Sequence, residues 1–284
     1  MDRSRIGPSD APNALRAGDS PRRLITIRFS HYCEKARWAL DRAGVGYEED
    51  AHPPIVSWLF TKRIKVAGMS TRPRQVPILV ADGKVYPDSN DILEYADGHT
   101  PGHIAALCHL PDGDVRDGAK QAKFAELRKL FDESLGPASR RFVYGVLLED
   151  APVAMRVLSS AGSPLERRIA RSAFPILRTA IKKGLKIDAD GIERSRKVIE
   201  RVFATVAEHI ADGRPYLLGD SFTAADLSFA SLAAPLLFPK VYTTFCVPLE
   251  EGPRALVPLV EAYRATPAGR FALSLYDRER GGKG

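Results

Sequence analysis

Hydrophobic and polar positions change period once along this chain, close to residue 100. Before it, apolar residues come in short runs broken by turns. Leu24–Phe29 reads as a strand and Glu34–Ala43 as a helix closed by Gly44, because glycine accepts the left-handed backbone of a helix C-terminus. A second extended piece surrounds Tyr47. Val76–Val80 and Lys84–Tyr86 flank Asp82-Gly83, the signature of a tight hairpin. Asp88-Ser89 then opens a helix over Asn90–Ala96, giving the order βαβ…ββα. A Pro/Gly/His-rich connector follows, and beyond it the pattern is helical to the end. The expected helices are 119–134 (stopped near Gly136-Pro137), 138–149, 164–184, 190–211, 223–237 and 255–276. In 190–211, Ile199, Val202, Phe203, Val206 and Ile210 recur at i, i+3, i+4 spacing. The implied architecture is a small α/β domain over 24–99, a linker over 100–116 and an all-helical domain over 117–276. A disordered tail is expected over 1–23 and a flexible one over 277–284.

A chain of 284 residues can bury the cores of two modest domains. No stretch reaches the ~18 uninterrupted apolar residues of a spanning helix, and the best candidate, Phe222–Phe238, is broken by Asp226 and Pro235. No membrane partner is therefore expected. The first 23 residues carry no apolar secretory core, and Asp2, Asp10 and Asp19 spoil a transit-peptide pattern. Cys33, Cys108 and Cys246 are odd in number and far apart, which argues against a disulfide framework or a cysteine metal cluster and for a reducing, cytoplasmic setting. The histidines lack metal-ligand spacing, so no metal is expected. Of the net charge of +7, residues 119–201 hold more than the whole, with 18 Lys/Arg against 10 Asp/Glu. Those bases alternate with acids at helical spacings and lack interleaved aromatics, so the segment reads as a solvated helical surface with a mild preference for small anions rather than nucleic acid.

The candidate chemistry begins at Ser30-His31-Tyr32-Cys33, a bend between the first strand and helix. Thioredoxin-like domains keep a Cys-x-x-Cys redox pair in such a bend. Here the first position is a serine, which forms no disulfide but can hydrogen-bond a sulfur carried by a ligand. Val76-Pro77 places a proline at the start of an apolar strand, either as edge punctuation or as a cis bond opposite the bend. Ser89 can cap its own helix, with Asp88 favouring the dipole, or the same helix end can hold a ligand carboxylate while Asp88 accepts from an ammonium. Thr223 with Asp226 forms a capping-box pattern, a structural feature.

Ser30-x-x-Cys33 with Lys35–Leu40, Gln75–Val80, Asp88–Tyr95 and Phe222–Asp226 together resemble the glutathione transferase superfamily, over roughly 24–99 and again around 190–237. The resemblance implies a thioredoxin-like α/β N-terminal domain followed by an all-α C-terminal domain. It also implies glutathione as substrate or co-substrate, a small-molecule electrophile in the interdomain cleft, and a homodimer. Ser30 would contact the glutathione sulfur, Val76 before Pro77 would pair by backbone with the cysteinyl part, Gln75 would help at the glycyl end, and Asp88 and Ser89 would hold the γ-glutamyl group.

The bend Ser-His-Tyr-Cys departs from the family pattern and leaves His31 and Tyr32 with open roles, and the roles of Cys33 and of the helix after Pro137 are open as well. Tyr32 offers a second hydroxyl to the sulfur, or packs under the helical domain with its hydroxyl wet. His31 reads as an exposed loop histidine able to titrate near neutrality. Cys33, one turn into the helix, reads as core-facing, unless it serves as the thiol of a reductase. Arg140, Arg141 and Tyr144 belong to an early helix of the second domain, where Arg141 is the candidate to meet carboxylates, with a surface role as the plainer reading. The leading expectation is a glutathione-dependent transferase or isomerase acting in detoxification, the alternatives being a non-catalytic glutathione-binding protein and a Cys33-dependent thiol reductase.

Overall fold

The computed structural model describes residues 22–61, 75–101, 107–108, 118–244 and 246–280. The expected tail over 1–23 and linker over 100–116 lie almost wholly outside these residues. A four-stranded sheet in the order β2-β1-β3-β4 builds the N-terminal half. β1 (Arg23–Thr26) pairs in parallel with β2 (Glu48–Ala51) and antiparallel with β3 (Ile78–Ala81), which forms a hairpin with β4 (Lys84–Tyr86). The hairpin turns at Asp82 and Gly83, with φ of 52° and 72°, the left-handed pair that a two-residue turn requires. Helices α1 (His31–Arg42), α2 (Pro54–Thr61) and α3 (Ser89–Gly98) complete this unit. α2 was not foreseen from the pattern.

The remaining described chain is helical: α4 (Gly118–Lys129), α5 (Gly136–Leu147), α6 (Ala151–Leu158), α7 (Pro164–Ser172), α8 (Phe174–Gly184), α9 (Ala189–His209), α10 (Ala224–Leu237), α11 (Lys240–Thr243), α12 (Leu256–Arg264) and α13 (Pro267–Leu275). Gly136-Pro137 does not stop the helix as expected. A π-helical segment, Leu130–Leu135, carries the chain straight into α5, with Pro137 near the junction. The single helix expected over 164–184 is two, parted at Ala173, with Pro175 in the first turn of α8. The chain from Tyr276 to Arg280 is a π-helical turn, not a loose tail. Arg280 donates to Glu34 and Asp41, tying it to α1.

α10 is buried on every side and is the axis of the helical core. Phe229 on it meets Phe131, Phe203 and Phe271 at ring-centroid distances of 5.3, 5.8 and 6.3 Å. The capping box at its start is present. Asp226 also reaches beyond it, accepting from the backbone N–H of Leu217 at 2.8 Å as well as from Thr223 N–H and Oγ1. All of these donors are buried, so Asp226→Ala strands more than a helix cap. It should cost about 2–4 kcal/mol in urea unfolding rather than the ~1 kcal/mol of an exposed cap. A loss under 1 kcal/mol would mean the network is dispensable.

Helix α1 sits between the sheet and the helical domain, which explains its unusual burial of charge. Trp38 packs on Phe222 and Tyr276 with ring centroids 5.8 and 4.7 Å away. Lys35, Glu34 and Arg37 are all within 1% of full burial, and each has a partner. Lys35 Nζ donates to Asp132 Oδ1 at 2.6 Å and Asn90 Oδ1 at 2.7 Å. Arg37 donates to Glu49 and to the Arg28 carbonyl. Glu34 accepts from Arg280 at 3.0 Å. The α1 charges therefore join sheet, α3, the π segment and the C-terminal turn into one support for the bend that precedes them.

Candidate functional site

A cavity of about 1020 Å³ opens between the two halves of the molecule. Ser30, Gln75, Val76, Pro77, Asp88 and Ser89 all line its N-terminal side. Six residues chosen from three separate motifs, spanning 59 positions of sequence, thus share one wall. His31 and Tyr32 line it too, whereas Cys33 does not.

Ser30 is the N-cap of α1. A serine there normally spends its oxygen on the N–H of the first turn, but its side chain makes no cap bond. Ser30 is half-buried on the cavity wall, and its side chain interacts with the thiol of Cys33. Cys33 itself is fully buried, and burial raises its pKa to about 11. It stays a protonated thiol, so it offers no nucleophile to the cavity. The Val76-Pro77 bond is cis. Asp88, not Ser89, is the N-cap of α3, accepting from Asn90 N–H at 2.8 Å through Oδ1. It is exposed, and Ser89 behind it is buried at the first helical position.

His31 is not the exposed loop residue expected. It is 4% exposed and donates from Nε2 to the Gly136 carbonyl at 3.0 Å. Burial, then the neighbouring Arg140 charge, lowers its pKa to about 3, so it is neutral at physiological pH. Tyr32 packs under the helical domain, and its hydroxyl has a protein partner there. It donates to the Asp132 carbonyl at 3.0 Å. A Cβ on Gly136 would lie 2.2 Å from the Tyr32 hydroxyl oxygen, so α5 can approach α1 this closely only through a glycine. Burial also pushes the Tyr32 phenol above its ordinary range. The two residues after Ser30 therefore work as a dock for α5.

That docking has a pH signature. Unfolded, His31 takes up a proton near its ordinary 6.5; folded, it does so only near 3. The unfolded chain binds more protons in that window, so the His31 contribution to stability is complete above pH 6.5 and is lost as pH falls toward 3, on the order of 5 kcal/mol in all. His31→Gln should flatten the fall in melting temperature across that window. An unchanged pH profile would show that His31 is solvated in the native protein.

The opposite wall is mostly apolar, with Val143, Leu147, Ile181, Phe238 and Leu256. Tyr144 and Arg140 project into it from α5. Arg140 has no ion-pair partner among the described residues, its Nε is buried without a hydrogen bond, and its guanidinium stands 5.9 Å from the Tyr32 ring centroid. Arg141, the arginine singled out from sequence, points elsewhere: Nε donates to the Leu185 carbonyl at 2.6 Å and NH1 to Ser195 at 3.0 Å. It ties α5 to α8 and α9. Of this pair it is Arg140 that lines the cavity.

Two family models match the chain, the glutathione S-transferase N-terminal domain over residues 24–103 and the C-terminal domain over 189–265. No curated protein matches it by sequence. Among solved structures, the chain is similar to a glutathione S-transferase of Ceriporiopsis subvermispora in complex with glutathione. That match has 15% identity and a TM-score of 0.57, covering 92% of this chain and 98% of that one. It is also similar to the beta-etherase LigF from Sphingobium sp. strain SYK-6, with 19% identity and a TM-score of 0.51, covering 90% and 99% respectively. At such identities the likeness is one of fold. With both domain models matched in order and the cavity set between the two domains, the chain belongs to the glutathione S-transferase family, enzymes that take glutathione as substrate or co-substrate.

Proposed function

We propose that the protein is a transferase or isomerase in which Ser30 holds the glutathione sulfur as a thiolate for attack on a small electrophile. The observation that carries this reading is Ser30 itself, a serine at a helix N-terminus on the cavity wall whose side chain does not cap its helix. A hydroxyl donates one proton, and the N-terminal end of α1 adds positive potential at the same point. Together they favour the charged form of a bound thiol, whose proton leaves to water. The thiolate then forms a bond to an electrophilic carbon. In a transferase the leaving group departs; in an isomerase the sulfur itself departs after the carbon skeleton has rearranged.

The remaining assignments follow the same wall. Val76 offers its backbone to the cysteinyl part of glutathione, and Gln75, exposed beside it, serves the glycyl end. Asp88 keeps one carboxylate oxygen for its cap, leaving the other for the γ-glutamyl ammonium. Ser89, at the start of α3, serves the γ-glutamyl carboxylate. The apolar wall takes the body of the electrophile, and Arg140 attracts whatever anionic group lies nearest, on glutathione or on the co-substrate. A reductase using Cys33 is the weaker reading, because that thiol is fully buried, protonated and absent from the cavity lining.

Glutathione at about a hundred times its dissociation constant should stabilise the protein by about 2.7 kcal/mol, raising the melting temperature by roughly 5 °C. Asp88→Ala and Ser89→Ala should each reduce that shift at fixed glutathione. No shift at millimolar glutathione, or a shift indifferent to both variants, would place the ligand elsewhere.

A further inference from the structure

Residues 155–186 carry eight Lys and Arg and one acid, Glu166. The acid is spent inward: its carboxylate accepts from Ser163 N–H at 2.6 Å and meets His52 Nδ1 at 2.8 Å, anchoring α7 to the N-terminal domain. Arg178 and Lys182 pair with Glu149, Arg156 with Glu251, and Arg167 donates to the Gly162 carbonyl. Arg168, Arg171, Lys183 and Lys186 remain exposed, with no ion-pair partner among the described residues. The interleaving with acids expected from the sequence thus fails on this part of the surface.

The same segment holds the exposed large apolar side chains of the described residues: Met155, Leu165, Ile169 and Ile176, the last 73% exposed. On α7, Leu165, Arg168 and Ile169 share one outward face, with Ala170 buried behind them. On α8, Ile176 and Lys183 point outward while Phe174 and Leu177 enter a small core with Phe29 and Leu147. Isoleucine and leucine set among unpaired bases make a poor solvated surface.

We propose that the outward face of α7 and α8 docks on an anionic lipid bilayer. A nucleic acid or an acidic peptide would use the bases and leave Leu165, Ile169 and Ile176 in water, whereas a second copy of this chain would bring bases against bases. A bilayer satisfies both sets at once, taking the apolar side chains at the acyl boundary and the bases at anionic headgroups. No helix among the described residues is long and apolar enough to cross a membrane, so the contact is peripheral. The expectation of no membrane partner rested on spanning segments, and the proposal departs from it. Ala180, one turn from Ile176, lines the cavity along with Ile181 and Gly184, so the docked face borders the opening through which a lipid-soluble electrophile would enter.

The test is sedimentation of the purified protein with phosphatidylcholine vesicles, with and without phosphatidylglycerol, at low and high salt. The protein should pellet with the anionic vesicles alone and be released by salt. The bound fraction should fall at least about tenfold in Arg168→Glu/Lys183→Glu and also in Leu165→Ser/Ile169→Ser/Ile176→Ser, with both variants keeping wild-type circular dichroism and melting temperature. Absence from the anionic pellet, or binding unaltered in either variant, would overturn the proposal. Salt-sensitive retention on DNA that the apolar variant leaves intact, without vesicle binding, would assign the face to nucleic acid. Concentration-dependent self-association lost in the apolar variant would assign it to a second copy. Because these readouts need no glutathione, the outcome is independent of the catalytic reading.

Discussion

Ser30→Ala should lower kcat by about 10²–10³ while glutathione affinity changes by no more than about threefold. The asymmetry follows from where the hydroxyl acts. Removing one preorganised donor from a developing or full negative charge costs about 2.7–4 kcal/mol in comparable sites. The neutral thiol that binds first gains little from that donor. Binding is carried instead by the groups around Gln75, Val76, Asp88 and Ser89, which the substitution leaves in place. Steady-state kinetics with a panel of electrophiles, each at saturating glutathione, checks the prediction. A kcat within threefold of wild type for every active electrophile would remove Ser30 from the chemistry and make its cavity-facing hydroxyl incidental. Ser30→Cys is informative beside it, since a thiolate at this position can attack a glutathione mixed-disulfide substrate, taking the glutathionyl sulfur and releasing the other thiol, and should divert the protein toward reductase behaviour.

Asp132→Ala should destabilise the protein by about 3–5 kcal/mol, lowering the melting temperature by on the order of 10 °C. Lys35 has no exposed side-chain surface, and its ammonium is held between Asp132 and Asn90. Burial lowers its pKa, and the Asp132 charge opposes that shift. Without Asp132, either the ammonium stays buried with only a neutral amide as partner or it releases its proton. Each alternative is costly. Lys35→Met combined with Asp132→Leu should recover most of the loss, because replacing both charges with apolar groups removes the desolvation penalty along with the attraction. Chemical denaturation of the two single variants and the double checks both statements. A single-variant loss below 1 kcal/mol, or a double variant worse than either single, would show that the pair is solvated.

The local devices of the fold were legible in the sequence. Asp82-Gly83 announced its hairpin because only a few residues tolerate two successive left-handed conformations, and α9 announced itself through the i, i+3, i+4 recurrence from Ile199 to Ile210. The wall of the site was legible for the same reason: a bend, a strand-opening proline and a helix start each leave a short-range mark. What stayed hidden depends on partners far along the chain. His31 looks like a loop residue until Gly136, 105 positions away, supplies the carbonyl that buries it. Glu34, Lys35 and Arg37 look like solvent-facing charges until Arg280, Asp132 and Glu49 arrive. Arg140 and Arg141 are equivalent in sequence, and their opposite fates are set by which side of α5 the α8–α9 connection covers. The break between α7 and α8 was invisible because Pro175 is as compatible with a helix start as with an interruption.

In the proposed chemistry the Ser30 hydroxyl at the head of α1 keeps a bound sulfur ionised. Titration of enzyme-bound glutathione by its ultraviolet thiolate absorbance measures this without any electrophile. The bound thiol should ionise roughly two pH units below the ~8.5 of a free cysteine thiol, equivalent to about 2.7 kcal/mol of preference for the thiolate. In Ser30→Ala the midpoint should return most of the way to the free value. Identical midpoints in the two proteins, or a wild-type midpoint no lower than that of free glutathione, would contradict the account.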